Sequence, residues 1–306
     1  MAKILIATEK PFAKVAVDGI KEVAETAGLE IVLLEKYTEK AQLLAAVADV
    51  EAMIIRSDKI DNEVFDAAKN LKIVVRAGAG YDNVDLAAAT AHGVVVMNTP
   101  GQNSNAVAEL VFGMLVFAVR NFYNGKAGTE LKGKKLGILA YGNVGRRVAH
   151  IAKGFDMDVY ACDAYCSAGD IESDGVKAVS SQDEWFEKCE VVSLHIPATA
   201  ETRQSINYAL VGKMPKGGVL VNTARKEVIN EPELLKLMQD RTDLKYVTDI
   251  MPEADADFRI LEGRYFSTPK KMGAQTAEAN INAGVAAAHQ IAAFFKDGCT
   301  KYQVNK

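Results

Sequence analysis

The sequence predicts an α/β protein of two domains, each built on a parallel sheet. Three observations predict it. The chain has 306 residues, enough to bury two cores of ordinary size. Short, wholly apolar runs alternate with amphipathic stretches from end to end. Strands of that kind need helices on both faces, which is how a parallel sheet is covered. The series breaks once, at Asn98-Thr99-Pro100-Gly101, where proline and glycine punctuate the chain, and then resumes.

In the first series the expected strands are Ile4–Ala7, Ile31–Leu34, Ala52–Ile55, Ile73–Val75 and Val94–Met97. Between the first two lies Ala13–Thr26, where Val15, Gly19, Val23 and Ala27 recur at helical spacing. After the break comes a long apolar helix over Asn105–Asn121, then a polar stretch rich in glycine and lysine, Asn124–Lys135. The second series offers strands at Lys135–Leu139, Val159–Cys162, Val191–Ile196, Val219–Asn222 and Tyr246–Ile250. Beyond Pro269 a helix is expected over Glu278–Phe295, followed by a short tail, Tyr302–Val304. A closing helix of that length predicts a return to the first domain. The expected domains are therefore residues 1–98 plus 275–306, and residues 99–274, separated by a cleft.

Composition narrows the function. Apolar residues are 49% and charged residues 25%, the balance of a globular chain. The net charge is -4 and no basic stripe is visible, so a nucleic-acid partner is not expected. The longest apolar run, Leu110–Val119, contains Gly113 and is too short to span a bilayer, so no membrane partner is expected. The opening MAKILIATEK lacks the apolar core and cleavage site of a signal peptide. Cys162, Cys166, Cys189 and Cys299 match no metal spacing and read as reduced thiols, which makes the cytoplasm the expected location.

The strongest local signal is KKLGILAYGNVGRRVAHIA, Lys134–Ala152: an apolar strand, a glycine-rich turn and a helix. Gly142 would let the backbone approach a pyrophosphate, and Gly145 would let the helix pack on the strand, with Asn143 and Val144 between them. A helix N-terminus offers N–H groups and partial positive charge to phosphates. Asp163 ends the next strand, 18 residues after Gly145. An acid there accepts ribose hydroxyls and repels a 2′-phosphate, which favours NAD over NADP. Ala140 replaces the first glycine of the usual pattern, and its methyl group is expected to force a negative φ. The plain alternative is a tight turn whose glycines serve packing alone. The motif makes the second domain Rossmann-like, and the first repeats its strand–helix alternation.

Seven segments in order carry a wider resemblance: IIRSDKID (54–61), VRAGAGYDNVDL (75–86), NTPGQNSNAVAEL (98–110), the nucleotide loop, SLHIPATAET (193–202), VNTARKEVI (221–229) and NINAG (280–284). The sequence resembles the D-2-hydroxyacid dehydrogenase family over essentially its whole length, most of all the short D-3-phosphoglycerate dehydrogenase subgroup. That resemblance implies two Rossmann-like domains, NAD as cofactor, and a homodimer in contact through the segment of the apolar helix. It implies that Arg225 holds the substrate carboxylate and polarises the C2 oxygen, work suited to a planar fork of donors. The bland alternative is a surface arginine in a salt bridge. Gly78, Ala79 and Gly80 would cradle the carboxylate, Arg56 and Ser57 would face a phosphate, and Asn103 would touch substrate. Thr223, Ala224, His195, Pro197 and Thr202 would lie along the cofactor, with Asp249 at the nicotinamide carboxamide. His195 is then a poor acid, and His92, His150 and His289 read as structural or exposed.

Two positions depart from the family pattern. Where the family places a histidine before Ile-Gly-Ala, alignment on Gly273-Ala274 gives Lys271. The histidine's usual glutamate partner, five residues after the aspartate matched by Asp249, is Ala254, flanked by Glu253 and Asp255. The changes agree with each other. A carboxylate would raise the lysine above its ordinary value of about 10.4, whereas burial would lower it towards a proton-exchanging range. Lys271 is therefore expected to be partly buried, acting as proton acceptor or as a fixed charge on the alkoxide; otherwise Lys270 and Lys271 are solvated surface lysines and the enzyme is inactive. The implied reaction is NAD-dependent oxidation of 3-phospho-D-glycerate to 3-phosphohydroxypyruvate, which opens serine biosynthesis. Two alternatives stand: another 2-hydroxyacid dehydrogenase, acting on glyoxylate, hydroxypyruvate or D-lactate, or a non-catalytic NAD(H)-sensing module that recruits partners.

Overall fold

A computed structural model describes residues 1–305. The chain divides into two compact units, Met1–Asn103 with Gln275–Lys306, and Ser104–Ala274. The first crossing falls beyond the Pro–Gly break because that segment is bonded into the first unit. Thr99 N donates to Gly78 O at 2.9 Å, and Gln290 Nε2 donates to Asn98 O at 3.0 Å.

The first unit holds five parallel strands: β1 (Lys3–Thr8), β2 (Glu30–Glu35), β3 (Ala52–Ile55), β4 (Ile73–Arg76) and β5 (Val95–Asn98). Their order is β2-β1-β3-β4-β5, a doubly wound arrangement. Alternate residues of the inner strands feed two cores. Leu5, Met53, Ile55 and Val74 face one layer with Leu43, Phe65 and Ala89. Ile4, Ile6, Ile54 and Val75 face the other, with Ile20, Ala287 and Ile291. That second layer joins the helices Lys14–Thr26 and Ala277–Asp297. Their crossing is close because glycine faces a side chain both ways: a Cβ on Gly19 would come within 2.9 Å of Val285, and one on Gly284 within 3.1 Å of Ile20. Thr276 caps the closing helix by accepting Ala279 N at 3.1 Å, and Gly298 ends it at φ 65°.

The second unit holds seven parallel strands: β6 (Lys135–Leu139), β7 (Asp158–Cys162), β8 (Lys177–Ala178), β9 (Val191–Leu194), β10 (Val219–Asn222), β11 (Lys245–Thr248) and β12 (Tyr265–Ser267). The order β12-β11-β10-β9-β6-β7-β8 reverses direction between β6 and β9. Dinucleotides bind at such a switch point. The helix Ser104–Val119 covers one face, burying Val107, Val111, Met114, Leu115 and Ala118, and the helix Asn143–Gly154 packs beside it with Val148, Ala149 and Ala152. No helix among the described residues is long and apolar enough to cross a membrane, and all four cysteines are free.

Candidate active site

In the first unit, strand register fixes the candidate residues. Ile55 pairs with Arg76, and Arg76 with Asn98. Arg56, Arg76 and Asn98 therefore stand together at the carboxyl edge of the sheet, where open α/β folds bind ligands. Gly78 follows with φ 149°, and a Cβ there would overlap the Arg76 guanidinium. Only glycine serves at that position. Ala79 O accepts from Asn98 Nδ2 at 2.6 Å, so β5 holds the Gly78–Gly80 turn in place. Ser57 is exposed and Asn103 half-buried. Arg56 is more committed than its sequence context suggests. Its guanidinium donates to Lys10 O at 2.9 Å, Pro11 O at 3.0 Å and Asn280 Oδ1 at 2.7 Å, and it lies 5.1 Å over the Phe12 ring.

In the second unit, β6 runs into the glycine turn and the helix Asn143–Gly154. Gly142 is the N-cap, with no side-chain cap bond, and the first turn carries no acid. Space beside Gly142 is open, whereas a Cβ on Gly145 would overlap Ala140 O. An uncapped helix start beside open space fits a pyrophosphate. Asn143 is exposed and Val144 half-buried at that start. One expectation is overturned: Ala140 has φ 75°, not a negative value. The turn must reverse between Ala140 N, which pairs with Cys162 O at 2.9 Å, and Tyr141 N, which bonds Asp163. Those fixed ends hold an alanine in a glycine-like conformation.

Asp163 Oδ2 accepts Tyr141 N at 2.6 Å, and Oδ1 accepts Tyr165 N and Cys166 N, each at 2.7 Å. Its pKa lies below the ordinary aspartate value: burial opposes ionisation, and the three N–H bonds and Arg146 outweigh it. The acid thus stays charged and joins the glycine turn to the loop after β7. Beside it, Arg146 is bonded to Asp174 and lies 4.8 Å over the Tyr141 ring.

His195 ends β9. Its Nε2 meets Ser193 Oγ at 2.9 Å and its Nδ1 meets Thr223 Oγ1 at 3.3 Å. Burial pushes its pKa down to about 3, so it is neutral at physiological pH. Pro197 is exposed, and Thr202 Oγ1 donates to its carbonyl at 2.5 Å. After β10, Asn222 organises the Thr223–Arg225 turn. Its Oδ1 accepts Ala224 N at 2.9 Å and its Nδ2 donates to Arg225 O at 3.0 Å. Arg225 is half-buried, with Nη1 on Ala224 O at 2.8 Å. Asp249 is 1% exposed, and its carboxylate closes the loop that follows β12. It accepts Thr268 Oγ1 at 2.9 Å, Met272 N at 2.7 Å and Gly273 N at 2.8 Å.

Comparison with known proteins settles the lineage. Residues 113–265 match the family model for "D-isomer specific 2-hydroxyacid dehydrogenase, NAD binding domain". A crystal structure of NAD+-bound 3-phosphoglycerate dehydrogenase from Entamoeba histolytica is 48% identical, with a TM-score of 0.89, covering 100% of this chain and 99% of that one. The chain belongs to the D-isomer specific 2-hydroxyacid dehydrogenase family. Hydroxypyruvate reductase of Thermotoga maritima is 33% identical over 86% of this chain and 90% of its own length. D-3-phosphoglycerate dehydrogenase of Methanocaldococcus jannaschii is 32% identical over 95% of this chain, which spans 57% of that protein. This chain thus spans about half the length of several phosphoglycerate dehydrogenases it matches.

Within this family, the second unit is the NAD-binding domain. The loop that carries Lys271 is tied through its backbone to Asp249, but Lys271 itself is exposed. This corrects the expectation of partial burial: Asp249 draws in the N–H groups of Met272 and Gly273 and leaves the preceding lysine at the surface. At Ala254, where the family has glutamate, the backbone still meets a carboxylate. Glu231 accepts Ala254 N at 2.9 Å and Glu253 N at 3.1 Å. Sequence reasoning did not single out Arg76, although it ends the apolar strand β4 just as Arg56 follows β3. It also passed over Asn222 and Glu231, whose roles are bonds to backbone and leave no pattern.

Proposed function

We propose that this chain oxidises 3-phospho-D-glycerate to 3-phosphohydroxypyruvate with NAD, a step of serine biosynthesis. The observation that carries this reading is the juxtaposition of Arg56 and Arg76 beside the Gly78–Gly80 turn, two arginines at one sheet edge, with Arg76 Nε donating to Arg56 O at 3.0 Å. A substrate with a carboxylate at one end and a phosphate at the other calls for such a concentration of fixed positive charge. The likeness to the Entamoeba histolytica enzyme supports it.

In this reading the first unit binds the acid. The Gly78–Gly80 turn receives the carboxylate, Arg56 and Ser57 the phosphate, and Asn103 the substrate backbone. Gly142–Gly145, Asp163, Thr223, Ala224, His195, Pro197 and Thr202 hold NAD. Asp249, through the loop it closes, sets the nicotinamide end. NAD supplies the hydride acceptor. Arg225 orients the carboxylate and polarises the C2 oxygen, and Lys271 either takes the hydroxyl proton as a neutral amine or, as the charged amine its exposure favours, stabilises the alkoxide while the proton leaves to water. The protein acts in the cytoplasm as a homodimer.

A second reading has its own observation. Three of the five N–H donors of Arg56 are already engaged, which favours an unphosphorylated acid such as hydroxypyruvate. An NADH-oxidation assay against a panel of 2-oxo acids decides. We expect kcat/KM for 3-phosphohydroxypyruvate to exceed that for hydroxypyruvate and glyoxylate. Equal or better turnover of an unphosphorylated acid would overturn the substrate assignment, and NADH binding without any turnover would overturn catalysis.

A further inference from the structure

Asp58 is 2% exposed and Tyr37 6%, and the chemistry above uses neither. The Asp58 carboxylate accepts from three separate segments at the carboxyl edge of the first sheet. Glu9 N, after β1, donates at 2.8 Å. Tyr37 Oη, after β2, donates at 2.9 Å. Arg56 N, at the end of β3, donates at 3.1 Å. A buried carboxylate is costly unless its oxygens are satisfied, and here they are.

These bonds surround Arg56 on every side. Its N–H goes to Asp58. Its carbonyl accepts Arg76 Nε at 3.0 Å and Asn83 Nδ2 at 3.3 Å, and the same Asn83 amide reaches Asp58 O at 2.7 Å. The loop that follows β1 is gripped with both polarities: Asp58 takes the Glu9 N–H, and Arg56 donates to the carbonyls of Lys10 and Pro11. The guanidinium itself meets neutral acceptors, so Asp58 holds the Arg56 backbone without occupying the side-chain donors. Burial lowers the Arg56 pKa and Asp58 opposes that shift. Tyr37 is held protonated, its pKa raised by burial and then by Asp58, so it remains a donor.

We propose that Asp58, braced by Tyr37, is a positioning residue for substrate specificity: it fixes the Arg56–Ser57 end of β3 in place, so that this edge favours a phosphorylated acid. The inference rests on the substrate reading above and adds the groups that enforce it. An asparagine at 58 would keep one acceptor and the shape but lose the charge. The phenol ring of Tyr37 would pack equally well without its hydroxyl.

The test compares wild type, Asp58→Asn and Tyr37→Phe, as the full chain, with NADH and either 3-phosphohydroxypyruvate or hydroxypyruvate. For Asp58→Asn we expect kcat/KM for the phosphorylated acid to fall about tenfold, mostly through KM, as for one lost charged hydrogen bond. The hydroxypyruvate value falls far less, so the ratio between the substrates drops. Tyr37→Phe shifts the ratio the same way by roughly threefold. A purely structural role lowers both substrates in parallel through loss of folded enzyme, and a parallel loss or an unchanged ratio overturns the inference. If Asp58→Asn does not fold, Tyr37→Phe decides on the same ratio. A wild type with no preference for the phosphorylated acid overturns the substrate reading and this inference together. A wild type with the preference, and variants that keep it, overturns this inference alone.

Discussion

Lys271 is where residue chemistry is most exposed to test. As a proton acceptor it should be worth about 10²–10⁴-fold in turnover, so Lys271→Ala should lose that much kcat while NADH still binds. Lys270→Ala should be nearly neutral. Steady-state kinetics with NADH titration separate the two, and a larger loss at Lys270 would reverse the assignment. His195 does not compete for this role, because its neutral ring is fixed between Ser193 and Thr223. Ala140 gives a second test. A non-glycine residue at φ 75° carries a strain of about 1–2 kcal/mol. Ala140→Gly should relieve it, offset in part by a more flexible unfolded chain, for a net gain of about 1 kcal/mol. The urea midpoint should rise at constant slope; a fall would show that the methyl group is tolerated without strain.

At the scale of elements, what was legible follows burial. β3, β6 and β10 match the sequence expectation to the residue, because apolar strands covered on both faces leave one interpretation. β9 stops at Leu194 rather than Ile196, since Pro197 has no N–H to continue a ladder. β8 and β12 are not legible in the sequence: Lys177-Ala178 and Tyr265-Phe266-Ser267 are too short to show a strand pattern, and their neighbours make them strands. The glycine turn and Asp163 were legible as a motif, whereas the backbone clamps of Asp58, Asp249 and Glu231 depend on loops that meet only in the fold. Gly19 and Gly284 belong here too. Their spacing read as helix, but the close crossing was invisible. Gly19→Val should drive the Lys14–Thr26 and Ala277–Asp297 helices apart at a cost of about 1–3 kcal/mol, seen as a lower urea midpoint with the NAD site intact. An unchanged midpoint would mean that Val285 yields freely.

At the scale of the whole molecule, the apolar excess of the helix Ser104–Val119 is smaller than its sequence implies. Most of its large residues are buried within their own unit, against the sheet and the helix Asn143–Gly154. What is left is a strip: Leu110, Val116 and Phe117 half-buried, with Gly113 exposed among them. Phe117 also meets Phe122, Tyr123 and Phe266 at ring distances of 5.0, 5.2 and 5.2 Å, and Tyr123 is 66% exposed. A strip of this kind suits an isologous contact, in which the same helix faces itself across a twofold axis and a glycine allows close approach. A homodimer should therefore persist at micromolar concentration by light scattering. Gly113→Glu places two like charges at the centre of such a contact and should shift the mass to that of a monomer, while NADH binding, which we propose rests on β6 and its turn, is kept. A monomeric wild type would remove the contact from this helix. A Gly113→Glu protein that stays dimeric would move it to another surface.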